Sequence, residues 1–336
     1  MTPRTGIFAL LLGIAACQAQ AQTPGAYLSL EFGNGRIYGG NEEGCPDGSR
    51  SMGGRAFEAR GGREQASPLG PGRIDFVHYN EGHPDNNHRD GFALQWVGVR
   101  PLGSTFTGEL GIGPYLSMNT TTIDGREFDD AHLGLLLGGA LRLPLDALPA
   151  GTHLRLGLNY AWMPGAHRSV AVLLGLGRQF GPARPEPDTE PVAGPWWFGG
   201  SIGRSITNMS NTDGANAGVL EARTYLDADL AHWAVSGKLV WEGDDGRRVD
   251  RDGVAAQLFY VQQVTPRFAV SAGAGPYVAR NDRDEDDKTR ANLLISLQAE
   301  RALSRETRAF INFNRVKTFR RTNDRDLLQV GVLKRF

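Results

Sequence analysis

Along most of this chain hydrophobic and polar residues alternate with a period of two. From Gly91, the side chains Phe92, Leu94 and Trp96 share one parity and Ala93, Gln95 and Val97 the other. That is the pattern of a strand whose two faces meet different surroundings. Leu110, Ile112, Leu116 and Met118 alternate with Glu109, Gly111, Gly113, Tyr115, Ser117 and Asn119. Leu154, Leu156, Leu158, Tyr160 and Trp162 alternate with His153, Arg155, Gly157, Asn159 and Ala161. The pattern predicts eight strands in the first half, starting near Tyr27, Ala56, Arg73, Gly91, Phe106, His132, His153 and Ser169. Eight more start near Trp197, Val219, Trp233, Gly253, Phe268, Arg290, Arg308 and Asp326. A soluble sandwich shows the same alternation. Strands of about ten residues, aromatic residues at their ends, and glycines and charges on the second face favour a membrane barrel instead, since transmembrane strands need roughly 9–11 residues, aromatic girdles and a polar interior.

The two sets of strands are copies. An offset of 162 pairs Arg89-Asp90-Gly91 with Arg251-Asp252-Gly253, and Ala93, Gln95, Val99 and Phe106 with Ala255, Gln257, Val261 and Phe268. The same offset pairs Gly111, Gly113, Pro114, Tyr115 and Asn119 with Gly273, Gly275, Pro276, Tyr277 and Asn281. Glu58-Ala59-Arg60 answers Glu221-Ala222-Arg223, and Glu81-Gly82 answers Glu242-Gly243. A repeat of this length is a domain, not a solenoid unit. Between the halves, residues 181–195 carry prolines at 182, 185, 187, 191 and 195. Such a segment extends as a spacer and lacks ladder donors. The expected organisation is therefore an all-β chain of two tandem eight-stranded transmembrane antiparallel barrels, residues 22–180 and 196–336, joined by a linker over 181–195. One sixteen-stranded barrel is the alternative, and the tandem reading expects the second half to insert alone.

Arg4, the apolar run Gly6 to Ala16 and Ala19-Gln20-Ala21 read as a signal peptide over residues 1–21. Ile14-Ala15-Ala16-Cys17 admits a second reading, with Cys17 as a lipidation site. If Cys17 is removed, Cys45 stands alone and no disulfide framework exists. A formal net charge of −1 offers no basic face for a nucleic acid.

A last strand with Leu328, Val330, Val332 and Phe336 on one parity, ending in a carboxy-terminal Phe, resembles the recognition signal of bacterial outer-membrane β-barrels. The repeat is similar in size to the small eight-stranded barrels of the OmpA and OmpX types. The resemblance implies the bacterial outer membrane as location and Phe336 as an assembly signal read by the barrel-assembly machinery. Outer-membrane lipids and lipopolysaccharide are then the surrounding partners.

Agreement between the halves concentrates on the non-greasy parity, so Gln95, Tyr115, Asn119, Gln257, Tyr277 and Asn281 are expected in the barrel interiors, as packing. Inward charges are expected at Glu31, Asp75, Glu109, Arg142, Arg155, Lys238, Glu300 and Arg308, where they must pair. Long polar loops are expected at Asn80 to Asp90, Thr120 to Asp130 and Asn281 to Lys288. His83 and His88 with Asp85 or Glu81 have the donor types of a zinc site, and 281–287 is acidic. Both read as solvated loop tips, with no metal or cofactor. Some small outer-membrane barrels are lipid A deacylases with a His-x-Ser pair, a spacing that His167-Arg168-Ser169 shares. Its counterpart in the second half is Asp324-Arg325-Asp326, and no orienting carboxylate is evident beside it. The expected function is a non-enzymatic outer-membrane barrel with an envelope structural, surface-interaction or export-accessory role. A passive porin, built as one wide barrel, and an acyl hydrolase are the alternatives.

Overall fold

The computed structural model describes residues 24–39, 51–65, 70–83, 87–123, 126–183, 194–206, 214–226, 232–283, 289–319 and 323–336. The signal segment with Cys17, the Cys45 loop and most of the proline-rich linker lie outside the described residues. The first eight strands are β1 (Ala26–Tyr38), β2 (Ser51–Glu64), β3 (Gly72–His83), β4 (Asn87–Leu102), β5 (Phe106–Ile123), β6 (Arg126–Pro144), β7 (Thr152–Trp162) and β8 (Arg168–Gln179). The second eight are β9 (Trp196–Ile206), β10 (Asn216–Tyr225), β11 (Trp233–Asp244), β12 (Asp250–Thr265), β13 (Phe268–Asn281), β14 (Arg290–Ala302), β15 (Thr307–Lys317) and β16 (Arg325–Arg335).

Each set forms a closed antiparallel barrel. β8 returns to β1, from Tyr27 opposite Gln179 to Tyr38 opposite Arg168. β16 returns to β9, from Asp326 opposite Ile206 to Arg335 opposite Trp197. The single sixteen-stranded barrel is thereby overturned, because β8 spends its second edge on β1 and leaves none for β9.

Several strands run further than the alternation suggests. β4 starts at Asn87 rather than near Gly91, and β6 at Arg126 rather than near His132. The stretches read as loops over Asn80 to Asp90 and Thr120 to Asp130 are mostly ladder. Toward the outer rim polar and charged side chains stand on both faces of the hairpins, so alternation fades while the backbone hydrogen bonds continue.

The outer surface is apolar. Leu110, Leu133, Val172, Ile202, Leu220, Val254, Ile311 and Val330 are all more than half exposed, Ile202 at 74%. A continuous apolar belt is not a soluble surface. Closed barrels satisfy every backbone donor in lipid, and aromatic girdles flank the belt. Trp162 and Trp241 stand near the outer ends of β7 and β11, while Trp196, Phe198, Trp233 and Phe336 cluster near the opposite end. The Phe336 ring meets Phe198 edge-on at 6.0 Å. This is the architecture of an outer-membrane β-barrel protein. No described helix is long and apolar enough to cross a membrane.

The barrels touch side by side. Phe92, Met118 and Ile295 are buried between them, with Phe76, Leu116, Leu293, Leu297 and Phe313 around. The His78 ring stacks on Phe92 at 4.9 Å and on Phe313 of the second barrel at 5.5 Å.

Candidate functional site in the barrel lumens

Residues two apart on a strand share a face, so Glu58 and Arg60 both point from β2 into the first lumen. They pair with each other, and Arg60 also donates from Nη1 to Gln95 Oε1 at 2.6 Å. Arg73 donates from Nε to Asp75 at 2.7 Å and from Nη1 to Glu109 at 2.6 Å, with its guanidinium 3.7 Å over the Tyr27 ring. Arg155 donates to Glu31 at 2.5 Å, to Glu58 at 3.2 Å and to Glu109 at 2.8 Å. Arg142 lies 3.3 Å from Glu109. Four cations thus meet four carboxylates, drawn from strands all round the barrel. Small inward residues make room for them: a Cβ on Gly62 would stand 2.0 Å from Asp75 Oδ1.

The second lumen repeats the scheme with fewer charges. Arg223 donates to Glu221 at 2.8 Å, to Glu300 at 3.2 Å and to Gln298 at 3.0 Å, and lies 4.6 Å over Phe259. Arg308 donates to Glu300 at 2.7 Å. Lys238 stands 3.9 Å from Glu221. Glu58, Arg60, Glu221 and Arg223 therefore anchor both networks, although sequence reasoning used the shared Glu-Ala-Arg only to align the copies.

Gln95 and Gln257 are buried and donate from Nε2 to the carbonyls of Leu136, at 2.9 Å, and Leu294, at 3.0 Å. Each ties β4 or β12 across to β6 or β14. Tyr115 donates to Glu81 at 3.1 Å, and Tyr277 is fully buried in the second barrel. Asn119 donates to Thr121 at 2.9 Å. Asn281 accepts from the Asp250 N–H at 2.8 Å and donates to the Arg248 carbonyl at 3.0 Å, closing the end of its hairpin.

Near the outer mouth the two barrels part company. In the second, Arg251 grips Glu242 directly, at 2.5 and 2.7 Å. In the first, the equivalent Arg89 and Glu81 have His167 between them. Arg89 Nη1 lies 2.9 Å from His167 Nδ1, and His167 Nε2 lies 3.1 Å from Glu81 Oε2. Arg89 Nη1 also lies 3.2 Å from Nε2; with arginine only donating and the carboxylate only accepting, the tautomer that suits both neighbours has Nδ1 as acceptor and the proton on Nε2.

The expectation that His167 lacks an orienting carboxylate is thus corrected: Glu81, 86 residues away in sequence, supplies one. The geometry of the set differs from that of a catalytic triad. A general base offers its free lone pair to the nucleophile, and here that lone pair is held by Arg89. Ser169 Oγ is buried and faces the lumen rather than lipid, beside the Tyr79 hydroxyl and the Glu81 carboxylate, and Glu81 keeps its bonds from Tyr115, Ser117 and His167 without it. Ser169→Ala is accordingly expected to leave fold and membrane lipids unchanged. His167→Ala should instead lower stability by roughly 1–3 kcal/mol, because it removes the neutral bridge between Arg89 and Glu81 and leaves their facing polar atoms unsatisfied. Mass spectrometry of lipid A with urea titration of each variant checks both. An acyl change made by the native chain and abolished by Ser169→Ala would show a hydrolase.

The other candidate sites disperse. Asp85 and the side chain of His83 lie outside the described residues, as does the acidic stretch 284–287. His88 comes together with Asp90 and, from the other barrel, Asp326. The cation between those carboxylates is Arg315, with Nη1 at 2.9 Å from both Asp326 oxygens and Nη2 at 3.7 Å from Asp90.

No protein-family model matches the chain, and no curated protein matches it. Among solved structures, Neisserial surface protein A is similar to 46% of this chain over 97% of its own length, at 13% identity and a TM-score of 0.36. The attachment invasion locus protein of Yersinia pestis covers 47% of this chain and 99% of itself, at 12% identity and 0.34. An outer membrane channel from Pseudomonas putida F1 covers 96% and 98%, at 14% identity and 0.22. The barrel assignment rests on the closed ladders and the apolar belt.

Proposed function

We propose that this chain is a non-conducting, non-enzymatic structural component of the bacterial outer membrane, a pair of plugged barrels that carries its polar outer hairpins at the cell surface. The supporting observation is the ion-pair network across each lumen, which fills the space that a solute would need. An eight-stranded barrel encloses an interior just wide enough for side chains. The porin alternative drew its plausibility from one wide barrel, and that premise is gone. Lipids and lipopolysaccharide would surround the belt and rim, and the barrel-assembly machinery would receive β16 with Phe336.

Planar-bilayer recording tests this reading. The purified full chain is expected to give no steady stepwise current, whereas a persistent open conductance of general-porin size would make it a channel.

A further inference from the structure

Both barrels carry charged side chains on the parity that elsewhere faces lipid. On β15 the outward row is Ala309, Ile311, Phe313, Arg315 and Lys317. Ile311 is 56% exposed, yet Arg315 is fully buried and Lys317 is 7% exposed. On β16, Asp326 shares the parity of Leu328, Val330 and Val332 and is nevertheless buried. In the first barrel Asp90 continues the row of Phe92, Leu94 and Trp96, and Asp129 that of Ala131 and Leu133. Both aspartates are buried as well.

All of them are covered by the other barrel. Asp129 Oδ2 accepts from the Asp324 N–H at 3.0 Å, while its Oδ1 accepts from Thr120 at 2.7 Å. Lys317 pairs with Asp324 and reaches the Asp130 carbonyl at 3.4 Å. Arg315 bridges Asp326 of its own barrel to Asp90 of the first. His78 and His88 flank Asp90 at 3.4 and 3.2 Å. At the opposite end, the outward Arg63 donates to Tyr260 Oη at 2.9 Å.

The apolar middle of this seam does not explain the docking, because lipid tails satisfy Phe and Ile equally well. The charges do. Outward Arg or Lys destabilises a lone barrel in a depth-dependent way, and the partner removes that penalty. We propose that the two barrels are a single laterally docked unit, a dimer built into one chain, in which each barrel covers the other's outward charges. This proposal does not depend on what the lumens do.

The test uses the full chain in native outer membranes, with Cys45→Ser as background and a protease site placed within 184–190. A Cβ on Gly61 would lie 4.0 Å from Val270 Cγ2 across the seam, so cysteines at the two positions face each other within reach of oxidative or short dithiol-reagent cross-linking. After oxidation and cleavage, the Gly61→Cys/Val270→Cys protein is expected to run as joined halves that thiol reductant separates. Gly61→Cys paired with Ile202→Cys, on the lipid-exposed β9, should not join. Adding Arg315→Glu to the seam pair should abolish joining while both halves keep their heat-dependent gel shift. Failure of the seam pair to join in membranes where both barrels are folded would overturn the proposal. So would joining between differently tagged copies, or undiminished joining with Arg315→Glu.

Discussion

Replacing Arg155 by alanine is expected to cost the first barrel about 3–5 kcal/mol, the range for removing one partner from a buried ion pair. Arg155 is the cation that Glu31, Glu58 and Glu109 share. Without it, Glu31 loses its ion pair, Glu58 keeps only Arg60, and Glu109 is left with Arg73 and the longer contact to Arg142. Arg155→Lys should recover only part of the loss, since a compact ammonium does not reproduce the planar fork that reaches three carboxylates. Lys238→Met is the contrast in the second barrel. Lys238 stands at the far end of a 3.9 Å pair, and Glu221 keeps Arg223 at 2.7 Å. That substitution should therefore cost little. Urea titration read by the mobility of unheated samples measures all three. Arg155→Ala unfolding within about 1 kcal/mol of the native chain, in the scale of ordinary surface changes, would show that the network is not what holds the lumen closed.

Why the sequence showed some of this and hid the rest follows from the range of each signal. Alternation reports burial on two faces, so it located strands wherever one face met lipid, from Ala26 to the end of β16. It was blind near the outer rim, where charged side chains stand on both faces. Closure at eight was legible through the repeat and the linker prolines, but it became definite only in the pairing of β8 with β1. The lumen charges at Glu31, Glu109 and Arg155 stood out as breaks in a row of glycines and small residues. Glu58 and Arg60 were equally visible, and their recurrence at Glu221 and Arg223 was the clue to the network's centre. The carboxylate that meets His167 comes from β3, and no local pattern connects it to β8. The seam was legible and unread: Arg315 and Lys317 interrupt an otherwise apolar outward row, as Asp90 interrupts another.

Substituting leucine for both Arg315 and Asp326 is expected to change stability in opposite directions in two contexts. In the full chain the double variant removes the cation that serves Asp90. Asp90 then stays buried with only His78 and His88 beside it, at a cost of about 3 kcal/mol or more. Residues 196–336 behind a signal peptide present another situation. Their ladder closes between β16 and β9 without help from the first half, so the barrel should form and shift with heat. Its β15 and β16 faces, however, would turn Arg315, Lys317 and Asp326 toward lipid. Arg315 lies two residues from the outer end of β15, where an outward arginine costs about 1 kcal/mol or less rather than the 2–4 of the midplane. The two leucines should therefore stabilise the isolated half by up to roughly that amount, and they should also suppress any self-association through the uncovered face. Paired urea titrations of the half and the full chain, with and without the two leucines, read the sign directly. Destabilisation in both contexts would mean that the Arg315 and Asp326 pair supports the second barrel by itself, and stabilisation in both would mean that the barrels do not cover each other in the membrane.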